Sequence, residues 1–284
     1  MRLKQITNLF LVVLSIFLFS CNDRKEANIS PENLLTVNIK GKWELSDFPI
    51  TLPEKQGVKK HSNLRKRISS LSLSPNLRLS TNGNKPFIEF LDDENFVISK
   101  GSWDNFYGKY SVLNSTSVLL EGIGEISNIE LNANNLAFKI NFQGTDISVN
   151  ATKTGKISSN SKNSLLCIRW DLDTKQFEID NDEIFWDGYE YDELKPDRLE
   201  VTFSEYGTYM GVIYSGKTIL ESEVSNWKWH ETKTDAFNYW HGNDFYDGDY
   251  VLIEKLTRDI LIVKETFDEE DYYDEIITVL HPAK

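Results

Sequence analysis

From residue 35 onward the chain is a succession of short apolar and aromatic runs, each closed by a turn rich in Asn, Asp or Gly. Runs of roughly four to eight residues bounded in this way are strand-length, and too short for helices that must bury a continuous stripe. The order of runs occurs twice. The first copy opens on Ile39-Lys40-Gly41-Lys42-Trp43-Glu44-Leu45, with Trp43 pointing inward. A hairpin follows, Phe87-Ile88-Glu89-Phe90 and Phe96-Val97-Ile98 about the turn Asp92-Asp93-Glu94-Asn95, then Gly108-Lys109-Tyr110 and strands near 117–121, 126–131, 136–142 and 147–152. The second copy opens on residues 166–171 with Trp170, and its hairpin is 199–203 and 209–212 about Glu205-Tyr206-Gly207. Trp227-Lys228-Trp229 stands where Gly108-Lys109-Tyr110 stood, and strands near 250–254, 260–264 and 275–280 close the set. About eight sequential antiparallel strands per copy predict an all-β chain of two up-and-down barrels in tandem.

The front end differs in kind. Two basic residues, Arg2 and Lys4, precede an apolar run over residues 9–19 that is too short to span a bilayer, which needs about 20 residues in a helix. A basic flank and a run of this length are the pattern of a signal peptide over residues 1–20. The run ends in Leu18-Phe19-Ser20-Cys21, which resembles the lipobox of bacterial lipoproteins. That resemblance implies a diacylglycerol on the Cys21 sulfur and cleavage that leaves Cys21 as the new N-terminus. Residues 21–34 are then a lipidated tether, because their few apolar side chains bury too little to fold.

The expected domains are residues 35–154 and 164–284, joined by a linker at 155–163 rich in Ser, Asn and Lys. Charge restarts at the same place. Residues 22–158 hold 17 basic and 15 acidic side chains, whereas residues 159–284 hold 12 and 29. A half so acidic repels phosphate backbones and anionic lipid, which argues against nucleic-acid binding.

Gly41-Lys42-Trp43 on a first strand, followed by a strand meander, resembles the lipocalin-like domains of many bacterial lipoproteins. The second copy departs from the motif, with Ile168-Arg169-Trp170 lacking the glycine. The last-strand arginine that packs on this tryptophan in lipocalins has no assigned counterpart here. Trp43 and Trp170 are expected as core plugs, with ligand contact as the alternative.

No nucleophile elbow, phosphate loop, dinucleotide fingerprint or zinc-protease helix is present, so a non-catalytic protein without cofactor is expected. Cys167, in a strand-like run and without a second cysteine beyond Cys21, reads as a buried thiol rather than a nucleophile. His230, His241 and Asp247 are the densest metal-ligand set, yet their spacing fits no known motif and no metal is expected. Aromatics concentrate in the second half, 21 after residue 158 against 11 in residues 22–158. Several alternate with carboxylates on expected loops: Trp186, Tyr189 and Tyr191, then Trp240, then Tyr246. Rings beside acceptors suit sugars and protein interfaces, and equally suit packing at a barrel mouth.

These features lead to the expectation of an exported envelope lipoprotein, held by lipid on Cys21 at a membrane, the outer one expected, on its periplasmic or outer surface. Its expected role is to bind a small apolar or glycan ligand without catalysis. The alternative is an accessory protein whose acidic aromatic face meets another envelope protein.

Overall fold

In the computed structural model the described residues are 31–46, 52, 85–100, 104–142, 144–158, 160–173, 197–240, 250–269 and 272–284. Cys21 and the two aromatic segments at 174–196 and 241–249 expected as loops lie outside them. The chain is all-β. Strands β1 (Gly41–Leu45), β2 (Phe87–Phe90), β3 (Asn95–Ser99), β4 (Asn105–Asn114), β5 (Ser117–Leu120), β6 (Gly124–Leu131), β7 (Asn135–Phe142) and β8 (Thr145–Lys153) form one closed antiparallel barrel in chain order. Closure comes from β1, which pairs with β2 through Trp43↔Ile88 and with β8 through Trp43↔Lys153.

A second antiparallel sheet is built from β9 (Arg169–Leu172), β10 (Arg198–Phe203), β11 (Thr208–Ser215), β12 (Thr218–Trp229), β13 (Ala236–Trp240), β14 (Val251–Leu256), β15 (Leu261–Glu269) and β16 (Tyr272–Pro282). Here β9 pairs with β10 through Val201↔Trp170 and with β16 through Pro282↔Trp170.

The two first strands are entered alike. Helix α1 (Pro31–Asn38) precedes β1, and the short α2 (Asn163–Leu166) precedes β9. In both, the indole N–H of the fully buried tryptophan donates to the carbonyl four residues back: Trp43 to Ile39 at 2.7 Å and Trp170 to Leu166 at 3.0 Å. A buried indole must find an acceptor, and a carbonyl at the end of the helix supplies one, Ile39 just past α1 and Leu166 as the last residue of α2. The second strand therefore starts at Arg169, later than the expected 166, because residues 163–166 are helical. Lys153 of β8 holds its ammonium 4.8 Å from the centre of the Trp43 ring.

The sheets share a face. Alternation sends Ile88, Phe90, Phe96 and Ile98 into the barrel core and turns Phe87, Val97 and Tyr107 outward, where they pack on Met210, Val212, Tyr214 and Val224 of the second sheet. Strands covered on both sides need apolar side chains at consecutive positions, and β2 and β3 are buried along their whole length. Polar groups are threaded through this face. Ser204 meets Glu89, Ser222 donates to Asn105 at 2.6 Å, and Arg169 reaches Asp93 at 2.7 Å and Glu200 at 3.5 Å. Gly41 belongs to the same seam: its φ is +114°, and a Cβ there meets the Tyr206 ring at 2.9 Å. The linker follows the seam too, with the Ile157 N–H donating to the Glu205 carbonyl at 2.9 Å.

Candidate functional site

The first barrel has one continuous core among the described residues. Trp43, Phe90, Phe96, Tyr110 and Phe138 converge with aliphatic side chains into a single core. The inner face of the second sheet is filled toward α2, where Trp227 stands edge-on to Phe203 and to Trp229 at 5.3 and 5.6 Å. Further along, packing stops and leaves a cavity of about 40 Å³.

Its walls follow from strand alternation. Leu199, Val201 and Phe203 are the inward positions of β10, and Leu261, Val263 and Glu265 those of β15. Leu280 and Thr278 face them from β16. On β11 the inward positions are Tyr209 and Gly211, and an added Cβ on Gly211 meets nothing within 4 Å. The cavity exists because a residue in the middle of a strand has no side chain, which in a sheet marks a place kept open. Tyr209 and Tyr239 stack across one wall, with ring centres 5.5 Å apart.

The wall is mostly apolar, and its polar groups are the Thr278 hydroxyl, the Tyr209 and Tyr239 phenols and one carboxyl. Glu265 is only 8% exposed, and its Oε2 has no hydrogen-bond partner among the described residues. Burial pushes this carboxyl well above the usual carboxylate range. Burial, with Glu265 and Glu223 nearby, also raises the Tyr209 phenol. Glu223 sits on β12, on the same face as Trp227 and opposite Gly211. None of the described residues lining the cavity is Lys, Arg or His.

A carboxyl raised by burial keeps its proton in the folded chain after an unfolded chain, with an ordinary pKa near 4.3, has lost it. Its contribution to stability is complete at low pH and is lost as pH rises toward the folded-state value. Glu265→Gln is therefore expected to gain on the parent protein as pH rises above the ordinary carboxylate range. Urea unfolding of both proteins at several pH values checks this, and equal pH slopes defeat it. Glu89 and Glu200, also raised by burial in the seam between the sheets, leave a residual slope in both.

Of the residues singled out in the sequence, Trp43 and Trp170 lie at the buried starts of the two sheets, away from the cavity. Trp240 is not on a loop: it ends β13 and is half-buried, and the same strand sends Phe237 and Tyr239 inward to the cavity. Trp186, Tyr189, Tyr191, Tyr246, His241 and Asp247 lie outside the described residues. The His230 ring accepts backbone N–H bonds from Thr232 and Lys233 through Nδ1, both at 3.2 Å, and so ties a turn. No cluster of potential metal ligands occurs among the described residues. The Cys167 thiol is pushed up to about 12, chiefly by burial, which leaves it un-ionised at neutral pH. The sequence reading missed Gly211 and Glu265. Their signal was a glycine inside the run Tyr209-Met210-Gly211-Val212, and a glutamate in the inward slot after Leu261 and Val263. No protein-family model and no curated protein sequence matches the chain.

Proposed function

We propose that the protein is a lipid-anchored, non-catalytic binding module that encloses a small apolar ligand, or the apolar end of a larger one, within its second half. The observation that carries this reading is the cavity over Gly211, lined by aliphatic and aromatic side chains and completed by one buried carboxyl. Binding pockets are mostly apolar with few polar groups that fix orientation, and this wall has that composition. At about 40 Å³ the space takes roughly three waters or a ligand fragment of similar size. Catalysis is the weaker reading, because no Lys, His or Cys stands beside Glu265 among the described residues of the wall.

The architecture supports a lipocalin-like reading of both halves, as barrels in tandem. Each first strand is preceded by a short helix and carries a buried tryptophan, and β9 is bonded to both neighbours that a closed ring requires. Lys153 occupies the position over Trp43 that an arginine takes in lipocalins. The signal-peptide pattern and the lipobox-like Leu18-Phe19-Ser20-Cys21 support export to a bacterial envelope and anchoring through lipid on Cys21.

Native mass spectrometry of the protein extracted from its own membrane tests both parts. The expected mass carries a diacylglyceryl group on Cys21 and a released small molecule. In a Gly211→Val variant, whose side chain enters open space, the ligand is expected to be lost while the melting temperature holds or rises. A protein released without lipid removes the anchor. A protein that never carries a ligand, or carries one equally in Gly211→Val, removes the binding site.

A further inference from the structure

We infer, resting on the reading above, that the ligand is an amine: the cavity takes the ammonium end of a small apolar molecule, held by Glu265 beside the stacked Tyr209–Tyr239 pair. Three features of the wall converge on this. Glu265 Oε2 is buried against the cavity without a hydrogen-bond partner among the described residues. A buried carboxyl oxygen left this way calls for an incoming donor, and a cation satisfies charge and hydrogen bond together. Four aromatic side chains, Phe203, Phe237, Tyr209 and Tyr239, line the same cavity beside its aliphatic ones, and such rings attract organic cations more than neutral or anionic groups. Among the described residues, the titratable groups that accompany Glu265 around the Tyr209 ring are Tyr209 itself on β11 and Glu223 on β12, and neither is a cation. An anionic ligand meets the Glu265 carboxyl here and no Lys, Arg or His among the described residues of the wall.

The proton count is specific. Glu265 enters the reaction as a neutral acid and leaves it as a carboxylate paired with the ammonium, so each bound amine releases one proton to the buffer. A neutral ligand that only accepts a hydrogen bond from the acid releases none.

The probes are butylammonium chloride and butanol, of nearly equal size, titrated calorimetrically into the full chain in detergent, with detergent blanks, in two buffers of different ionisation heat. Butylammonium is expected to bind more tightly than butanol and to release close to one proton. Glu265→Gln is expected to weaken butylammonium at least about tenfold and to leave butanol unchanged. Equal binding of the two probes to the parent protein, binding of the amine without proton release, or an unchanged amine affinity in Glu265→Gln each overturns the inference. The proton release is read on the parent protein, so it stands whether or not the variant folds. Butanol binding without butylammonium overturns the amine and leaves the apolar-ligand reading in place. Binding of neither overturns the amine, and the native mass measurement then decides the apolar-ligand reading by itself.

Discussion

Trp227→Ala is expected to lower stability by about 3–5 kcal/mol, as full truncation of a buried aromatic does. Trp227 is 1% exposed and sits at the centre of the second sheet's aromatic core, edge-on to Phe203, Trp229 and Phe237. Its indole N–H also donates to the Ser204 carbonyl at 2.9 Å. Removing the ring leaves a void that the flanking strands cannot close, because Phe203 and Phe237 are held in their own β-ladders. Trp227→Phe keeps most of the volume and loses the hydrogen bond, and is expected to cost about 1–2 kcal/mol. Urea unfolding of the three proteins measures both effects. A loss under 1 kcal/mol for the alanine variant contradicts the packing described.

The second large effect is expected between the sheets. Val212 is fully buried where the outer face of β11 meets Phe87, Val97 and Tyr107. Val212→Asp places a carboxylate there without a cation among those neighbours, an uncompensated buried charge worth about 3–5 kcal/mol. The loss is expected to appear as parting of the two halves, with faster proteolytic cleavage in residues 155–163. Val37→Asp, on a side chain 66% exposed, is the control and is expected to change stability by less than about 0.5 kcal/mol. If Val212→Asp behaves like this control, the face is not a shared core.

Much of the strand order was legible because strand cores are local. The run Phe87–Phe90 is a strand with the same ends in sequence and structure, and Trp227-Lys228-Trp229 does lie on the fourth strand of its sheet, as Gly108-Lys109-Tyr110 does on the first. The turn at Asp92–Asn95 was readable from its acids and asparagine, and Glu94 there has a φ of 63°. Strand β13 was not readable. Its Ala-Phe-Asn-Tyr-Trp runs on into the acidic stretch 244–249 of the sequence, and its aromatics resemble an exposed loop until the sheet supplies an inside for Phe237 and Tyr239. Lys153 was missed by one residue, since β8 runs to that position and not to 152. The cavity was hidden for a different reason: a glycine within a strand shows as open space only once the facing walls are known. The shared face did leave a trace. Phe96-Val97-Ile98 lacks the polar alternation of a strand with one wet side.

The seam between the sheets also sets a timetable. A chain synthesised from its N-terminus completes the first barrel, through Lys153, before β10–β12 have emerged. At that moment Phe87, Val97 and Tyr107 face water as a ready-made sticky patch, and Glu89 has Lys42 but not yet Ser204. The half-made protein is thus its own most hazardous species, and its safety depends on how soon residues 197–224 arrive. Refolding yield should accordingly fall with protein concentration far more steeply for a chain truncated after residue 162 than for the whole.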